Sequence, residues 1–412
     1  MERDKIKQDY ILITGSNFPS GGPDAAYLNL FCRGLKENHH NISVWLLKGF
    51  AYGNQKNSES KKNISKEGVP YLYLGSPQRS IGIIKKIKEE IITIIRLLIY
   101  LIKLFGKRKS VSILLYNNEL RFKIPVFIIS KFTGIKIICF VPEFYDKSTF
   151  DGLAFRKLKW FGFLINIHYL NKFSYRLIVF SHFLKDMYLK QGITEDKIIV
   201  QPNLTDFDYW QIKEEGKEER EEYTLGYCGT PTLKDGIYDL LQAVSELKNR
   251  KKRVTLLVIG DVTFGKSRIP DMIKFCESLN ISELVTFTGL VHSEDVKRYL
   301  SKCKILTLTR PNIIQTQAGF PTKLGEYFAS GKQILVTNFG DIEKYFTPMK
   351  ELVTAECGNI EDIAGKIIWM LNNPEISEQI REAGYFRAKQ LLSYNLSINR
   401  IIKLIKINKF ED

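Results

Sequence analysis

The stretch TRPNIIQTQAGFPTKLGEYFASGKQILVTNFGDI, from Thr309 to Ile342, has the residue types of a site for an anionic ligand. A strand ends near Arg310, a Gly-Phe-Pro-Thr turn follows (Gly319, Phe320, Pro321, Thr322), and a helix is expected from about Thr322 to Ala329. Gly331 stops that helix. A turn opening into a helix presents backbone N–H groups with no partner inside the helix and a partial positive charge, which suits a diphosphate. Lys323 falls in the first turn, where a cation opposes the helix dipole; the placement makes sense beside a negative ligand. Glu326, one turn further, has the chemistry to accept hydrogen bonds from ribose hydroxyls. An ordinary helix with a solvated lysine and glutamate would read the same way, so the neighbouring motifs must decide.

Several other stretches carry candidate chemistry. GYCGTPTLKDGIYDLLQAVSEL, from Gly226, ends a strand at Gly229-Thr230 and sets Lys234-Asp235-Gly236 before the next helix. TFTGLVHSEDVKRYLSKCKILTLT, from Thr286, places Gly289, Leu290 and Val291 after a strand, where they could equally be plain strand residues. ITGSNFPSGGPDAAYLNLFCRGL, from Ile13, carries the pair Gly21-Gly22, which lets backbone approach a phosphate or sugar closely and is also a common turn signal. FVPEFY puts Glu143 at a strand end, as a site residue or a surface carboxylate. Asp206-Phe207-Asp208 spells the Asp-x-Asp of metal-dependent transferases, but its position in a polar linker favours ordinary linker carboxylates. The five histidines lack metal-ligand spacing, which predicts structural roles.

These residues need a frame, and the rest of the chain supplies one. Apolar, β-branched runs begin at Tyr10, Ile42, Val111, Ile135, Arg176 and Lys197, as parallel strands buried on both faces do. Between the first two, Ala25, Leu28, Phe31 and Leu35 share a helical stripe, and Asp24 is well placed to cap that helix. The pattern breaks at DFDYWQIKEEGKEEREE and restarts at Tyr223, with further strands expected from Leu256, Val285, Lys304, Lys332 and Glu351. Two β/α arrays joined by a polar linker predict an α/β protein of two doubly wound domains. The expected limits are 1–205 and 206–390, with an amphipathic helix over 391–412. The polar stretch NQKNSESKKNISK, from Asn54, reads as a surface excursion.

The motif from Thr309 to Ile342 resembles the donor site of retaining glycosyltransferases with the GT-B fold, in particular glycosyltransferase family 4. FPTKLGEYFASGK is similar to a branch of that family acting in cell-surface polysaccharide synthesis. The resemblance covers most of the chain and is strongest from Tyr223 to Tyr345. It implies two Rossmann-like domains facing across a cleft, the last helix returning to the first domain. It also implies a nucleotide-sugar donor, a glycan or lipid-linked glycan acceptor, retention of anomeric configuration, and neither metal nor cofactor. Lys234, Lys323 and Glu326 would form the catalytic set. Gly21, Gly22, Gly229, Thr230, Arg310, Gly319, Phe320, Pro321, Thr322 and Leu324 would bind the donor, and Glu143 would face the acceptor. Gly289, Leu290 and Val291 would lie near the base. Two departures stand out. The family commonly has a glutamate eight positions before Glu326, where this chain has Ala318, with Gln315 and Gln317 as possible substitutes. It often has an arginine where this chain reads Thr-Pro-Thr-Leu. A non-catalytic partner that kept the fold, or a sugar-nucleotide epimerase, stays open beside the transferase.

Composition bounds these readings. The chain has 412 residues, 44% hydrophobic and 26% charged, enough for two folded domains. Six scattered cysteines without a Cys-x-x-Cys pair, and a charged N-terminus without an apolar signal, fit the cytoplasm. The net charge of +16 calls for anionic partners, but no nucleic-acid-binding motif accompanies it. Much of the charge sits in RSIGIIKKIKEEIITIIRLLIYLIKLFGKRKS, from Arg79 to Ser110. Its apolar run is short for a membrane span, and it reads equally as an interfacial helix on an anionic membrane face or as a buried helix with a solvated edge.

Overall fold

A computed structural model describes residues 8–49, 63–78, 82–106, 110–117, 119–151, 156–212, 222–262 and 266–406. The chain divides into two compact units, Met1–Pro202 with Tyr394–Asp412, and Asn203–Ser393.

The first unit runs β1 (Asp9–Thr14), α1 (Pro23–Glu37), β2 (Asn41–Leu46), β3 (Asn63–Ile64), β4 (Pro70–Tyr73) and α2 (Ile83–Ile102). It continues with β5 (Val111–Tyr116), α3 (Leu120–Thr133), β6 (Lys136–Val141), α4 (Arg156–His168), β7 (Arg176–Val179), α5 (His182–Lys190) and β8 (Ile198–Val200). The strands form one sheet in the order β3-β4-β2-β1-β5-β6-β7-β8, parallel except for β3 against β4. Asp9 stands opposite both Asn41 and Val111, so β1 is central and the chain order reverses between β1 and β5. The six apolar runs expected in this half are all strands. The excursion from Asn54 lies outside the described residues as far as Lys62, and its next two residues are β3 rather than loop. The strand β4, between β3 and β2, was also missed; it opens on Pro70, and the first residue of a strand is a place where proline is tolerated.

In the second unit come α6 (Phe207–Trp210), β9 (Tyr223–Cys228), α7 (Ile237–Asn249), β10 (Leu256–Ile259), α8 (Ile269–Ser278), β11 (Val285–Phe287) and α9 (Ser293–Ser301). They are followed by β12 (Cys303–Leu308), α10 (Ile314–Ala318), α11 (Thr322–Ser330), β13 (Gln333–Thr337), α12 (Ile342–Tyr345), β14 (Val353–Ala355), α13 (Ile360–Asn372) and α14 (Pro374–Leu392). All six strands are parallel, ordered β11-β10-β9-β12-β13-β14. Side chains alternate across the sheet, so each face builds its own core. Tyr227, Leu256 and Val258 pack with α7, α8 and α13, while Leu257, Ile259 and Leu308 pack with α9, α11 and α14. Each fully buried Leu or Ile side chain in these layers is worth about 1.5–3 kcal/mol of transfer free energy. The linker from Asp206 has more structure than its charge suggests. Asp206 caps α6, accepting from Tyr209 N at 3.1 Å, and Phe207 enters the core; residues 213–221 lie outside the description.

The last helix, α15 (Tyr394–Lys406), belongs to the first unit and packs on α1. It buries Ile398, Ile401, Ile402 and Ile405 on one face. Contact is close because Gly34 of α1 has no side chain: a Cβ there would stand 2.6 Å from Ile398 Cγ1. The expected stripe Ala25, Leu28, Phe31 and Leu35 is buried, but Asp24 does not cap α1. Gly22 holds that position without a side-chain bond, and the Asp24 carboxylate is turned to other partners.

Candidate active site

In open α/β sheets ligands gather beyond the carboxyl ends of the strands where the strand order reverses. In the second unit that place lies between β9 and β12. Gly229 follows β9, Arg310 follows β12, and α11 starts with Lys323 in its first turn. The two cations converge on one carboxylate. Arg310 donates to Asp235 Oδ1 through Nη2 at 2.7 Å and Nε at 3.0 Å, and Lys323 Nζ stands 3.4 Å from the same oxygen. Thr232 Oγ1 donates to the other oxygen at 3.0 Å.

Lys323 is fixed by more than charge. Its Nζ donates to the Tyr227 hydroxyl at 3.1 Å, and that hydroxyl donates to the Thr230 carbonyl at 3.0 Å. Gly229, with φ of 140°, leaves the space the lysine occupies; a Cβ there would overlap Lys323 Cε and Nζ. Burial pushes the Lys323 ammonium below the usual lysine range, against the pull of Asp235. Burial works against ionisation of Asp235 too, but Lys323 and Arg310 together outweigh it and hold that carboxyl below its usual range.

The turn into α11 is built rigidly. Phe320, Pro321 and Leu324 are buried, so any contact they make with a ligand is through backbone. Asn203 Nδ2 donates to the Phe320 carbonyl and, at 3.0 Å, to Thr322 Oγ1. Pro321 has no N–H, and Leu324 N already bonds the Pro321 carbonyl at 3.2 Å. The donors that α11 can offer are therefore those of Thr322 and Lys323, preceded by Gly319 and Phe320 in the turn. Glu326 is half-buried and accepts no hydrogen bond from a described residue; burial pushes its carboxyl up to about 7, with Lys323 opposing. Lys234 is half-buried in the turn that also holds Asp235, and it is Asp235 that the fold brings onto Arg310 and Lys323.

Ala318 is fully buried at the end of α10, where a glutamate would have to ionise inside the core. Of the two glutamines beside it, Gln317 Nε2 is engaged with Asn312 Oδ1 at 3.1 Å. Past the edge strand β11, Leu290 is 60% exposed and Val291 packs on the core. Among the described residues no group of three or more His, Cys, Asp or Glu is arranged to hold a metal ion.

The first unit has a polar cluster at its own reversal, between β1 and β5. Ser16 donates to Asp24 Oδ2 at 2.7 Å, Asn117 Nδ2 donates to the same oxygen at 3.0 Å, and the Tyr116 hydroxyl donates to Oδ1 at 3.1 Å. Past β6, the Tyr145 hydroxyl is raised well above the usual tyrosine range by burial and then by the nearby Glu143 carboxylate. Gly21 and Gly22 lie exposed at the start of α1. Asp235, Tyr227, Thr232 and Asn203 in the second unit, and Ser16, Tyr116 and Asn117 in the first, were missed as site residues. Position marks two of them, Ser16 and Asn117, which lie one or two residues past the strands that flank the first reversal.

Residues 208–387 match the model of the family described as glycosyl transferases group 1. Among solved structures, sucrose-phosphate synthase from Thermosynechococcus elongatus is 13% identical, with 97% of this chain and 98% of that one covered and a TM-score of 0.72. Anabaena HepE in complex with UDP is 13% identical over 96% and 98%, with a TM-score of 0.70. An S. aureus TarM mutant in complex with fondaparinux, α-GlcNAc-glycerol and UDP is 12% identical over 97% and 100%, with a TM-score of 0.66. No curated protein matches the chain by sequence. Its two Rossmann-like units make the GT-B fold, and residues 208–387 of the second unit are similar to the glycosyl transferases group 1 family.

Proposed function

We propose that this chain is a retaining, metal-independent hexosyltransferase that moves a sugar from a nucleotide diphosphate to a glycan, held on a lipid carrier, in cell-surface polysaccharide synthesis. The observation that carries the reading is the convergence of Arg310 and Lys323 at the β9/β12 reversal, beside the start of α11. A donor diphosphate replaces Asp235 as the partner of these cations, with Lys234 adding charge from the same loop and Gly229 and Thr230 leaving room for it. Glu326 accepts from the ribose hydroxyls. That the HepE and TarM structures hold UDP supports a uridine donor.

In the reaction the bond from the anomeric carbon to the diphosphate oxygen breaks, and the electron pair leaves with the nucleotide. The acceptor hydroxyl attacks from the same face, and its proton passes to the departing phosphate oxygen, so no protein base is needed. Lys323, Arg310 and the α11 amides stabilise the charge that builds on the leaving group. In the first unit Glu143 and the Asp24 cluster orient acceptor hydroxyls. The enzyme works in the cytoplasm, at the inner membrane face where a lipid-linked acceptor is presented.

The test is a panel of nucleotide sugars with membrane extract as acceptor, with and without EDTA, for wild type and Lys323→Ala. Release of one nucleotide, unaffected by EDTA and lost in the variant, is the expected result. Nucleotide binding without release would point to a non-catalytic protein, and absence of binding would overturn the donor site.

A further inference from the structure

The helix α2 buries Thr93, Leu97 and Leu101, yet most of its isoleucines face outward. Ile84, Ile87, Ile91 and Ile95 follow each other at spacings of three and four, a single stripe on the solvent side, and Ile84 is 83% exposed. A helix that only closes a sheet keeps one apolar stripe for the core; this one has two. The second continues onto its neighbours. The steps β4 to β5, β5 to β6 and β6 to β7 all run the same way along the sheet, so crossovers of one hand lay α2, α3 and α4 side by side. Contacts of α2 with α3 and of α3 with α4 agree. On α3, Ile124, Ile128 and Phe132 repeat every four residues and are exposed, and on α4 Leu158 and Phe161 are exposed. Contiguous apolar surface of this extent is uncommon on a protein that meets only water.

The charges select what covers it. Lys85, Lys86, Lys88, Arg96 and Lys103 of α2 are exposed. Its two acids are turned to internal partners: Glu89 accepts from Ser76 N at 3.1 Å, and Glu90 pairs with Arg121 at 2.8 Å. Lys131 on α3 and Lys157 and Lys159 on α4 add exposed positive charge. Among the described residues no helix is long and apolar enough to cross a membrane.

We infer that the outer face of α2, α3 and α4 is a docking surface for an anionic lipid bilayer, its isoleucines and phenylalanines sunk among the acyl chains and its lysines at the headgroups. The inference deepens the transferase reading by giving its membrane contact an address, and it rests on that reading for its purpose.

Flotation of the full chain with phosphatidylcholine vesicles, and with vesicles that also contain phosphatidylglycerol, tests it. Wild type is expected on the anionic vesicles and to be released by salt. The triple variant Ile87→Ser, Ile91→Ser, Ile128→Ser should bind about tenfold more weakly or worse, with an unchanged melting temperature because these side chains are already exposed. Lys85→Glu with Lys88→Glu should weaken anionic binding alone. No flotation of the wild type, or equal binding by the serine variant, overturns the inference. So does a wild-type dimer without lipid that the serine variant makes monomeric, which would put a second copy on this face. UDP binding by the same variants should match wild type; its absence in wild type would instead fail the transferase reading and leave the flotation result standing.

Discussion

The two sheets reverse direction at equivalent places, between β1 and β5 in one unit and between β9 and β12 in the other, and line them with opposite chemistry. The first reversal presents Asp24 with hydroxyl and amide donors around it. The second presents Arg310 and Lys323 around one internal carboxylate. Nearly the same backbone frame therefore carries a carboxylate ringed by donors in one unit and two cations around a carboxylate in the other. Architecture chooses where a ligand sits, and the few residues just past the strands choose which ligand.

The sharpest way to break this contrast is Lys323→Ala. Loss of a charged donor to the leaving group should lower kcat/KM about 10²–10³-fold, read in steady-state nucleotide release. A smaller loss would mean that Arg310 and the α11 amides suffice. Asp235→Asn should act first on stability. It leaves two partly buried cations facing a neutral amide, at a cost of about 3 kcal/mol. Added UDP should raise the melting temperature of this variant more than that of wild type, and equal gains would deny that the diphosphate takes the aspartate's place. Asp24→Asn should slow transfer about tenfold, the worth of one hydrogen bond to a charged group, with nucleotide-sugar affinity unchanged. If affinity falls instead, the cluster in the first unit serves the donor.

The smallest effect expected is a pH dependence set by Glu326. Its carboxyl is raised from 4.5 to about 7, so the folded protein holds a proton there that the unfolded chain has released. Stability should fall as pH rises through that interval and level off above it, and Glu326→Gln should remove the slope. Affinity for a nucleotide sugar should rise through the upper end of the interval as the carboxylate becomes a better acceptor for ribose. Comparison of wild type and Glu326→Gln by calorimetry at several pH values reads both.

The alternation of strands and helices was legible because buried parallel strands are continuous apolar runs, and twelve such runs became strands. What escaped were β3 at the sheet edge and β4 beside it, short and half exposed, where hydropathy carries little signal. At the site, the turn and helix around Lys323 were readable, since glycine, proline and a helix start leave local marks. Asp235 was not. It neighbours Lys234 in a turn of three residues, and only the folded backbone determines which of the two points at Arg310. Asp24 was misread for a related reason. An acid in the first turn of a helix looks like a cap from sequence, whereas two of its three partners, Tyr116 and Asn117, are more than 90 residues away.

The packing of Ile398 against Gly34 also sets an order of events during synthesis. Residues 203–393 are contiguous and can close their core as soon as they leave the ribosome. The first unit cannot: the patch of α1 that receives α15 stays uncovered until residues 203–393 have also been translated. The earlier-made unit thus waits with an apolar helix face open while the later one is synthesised, the interval in which chaperones would have most to do.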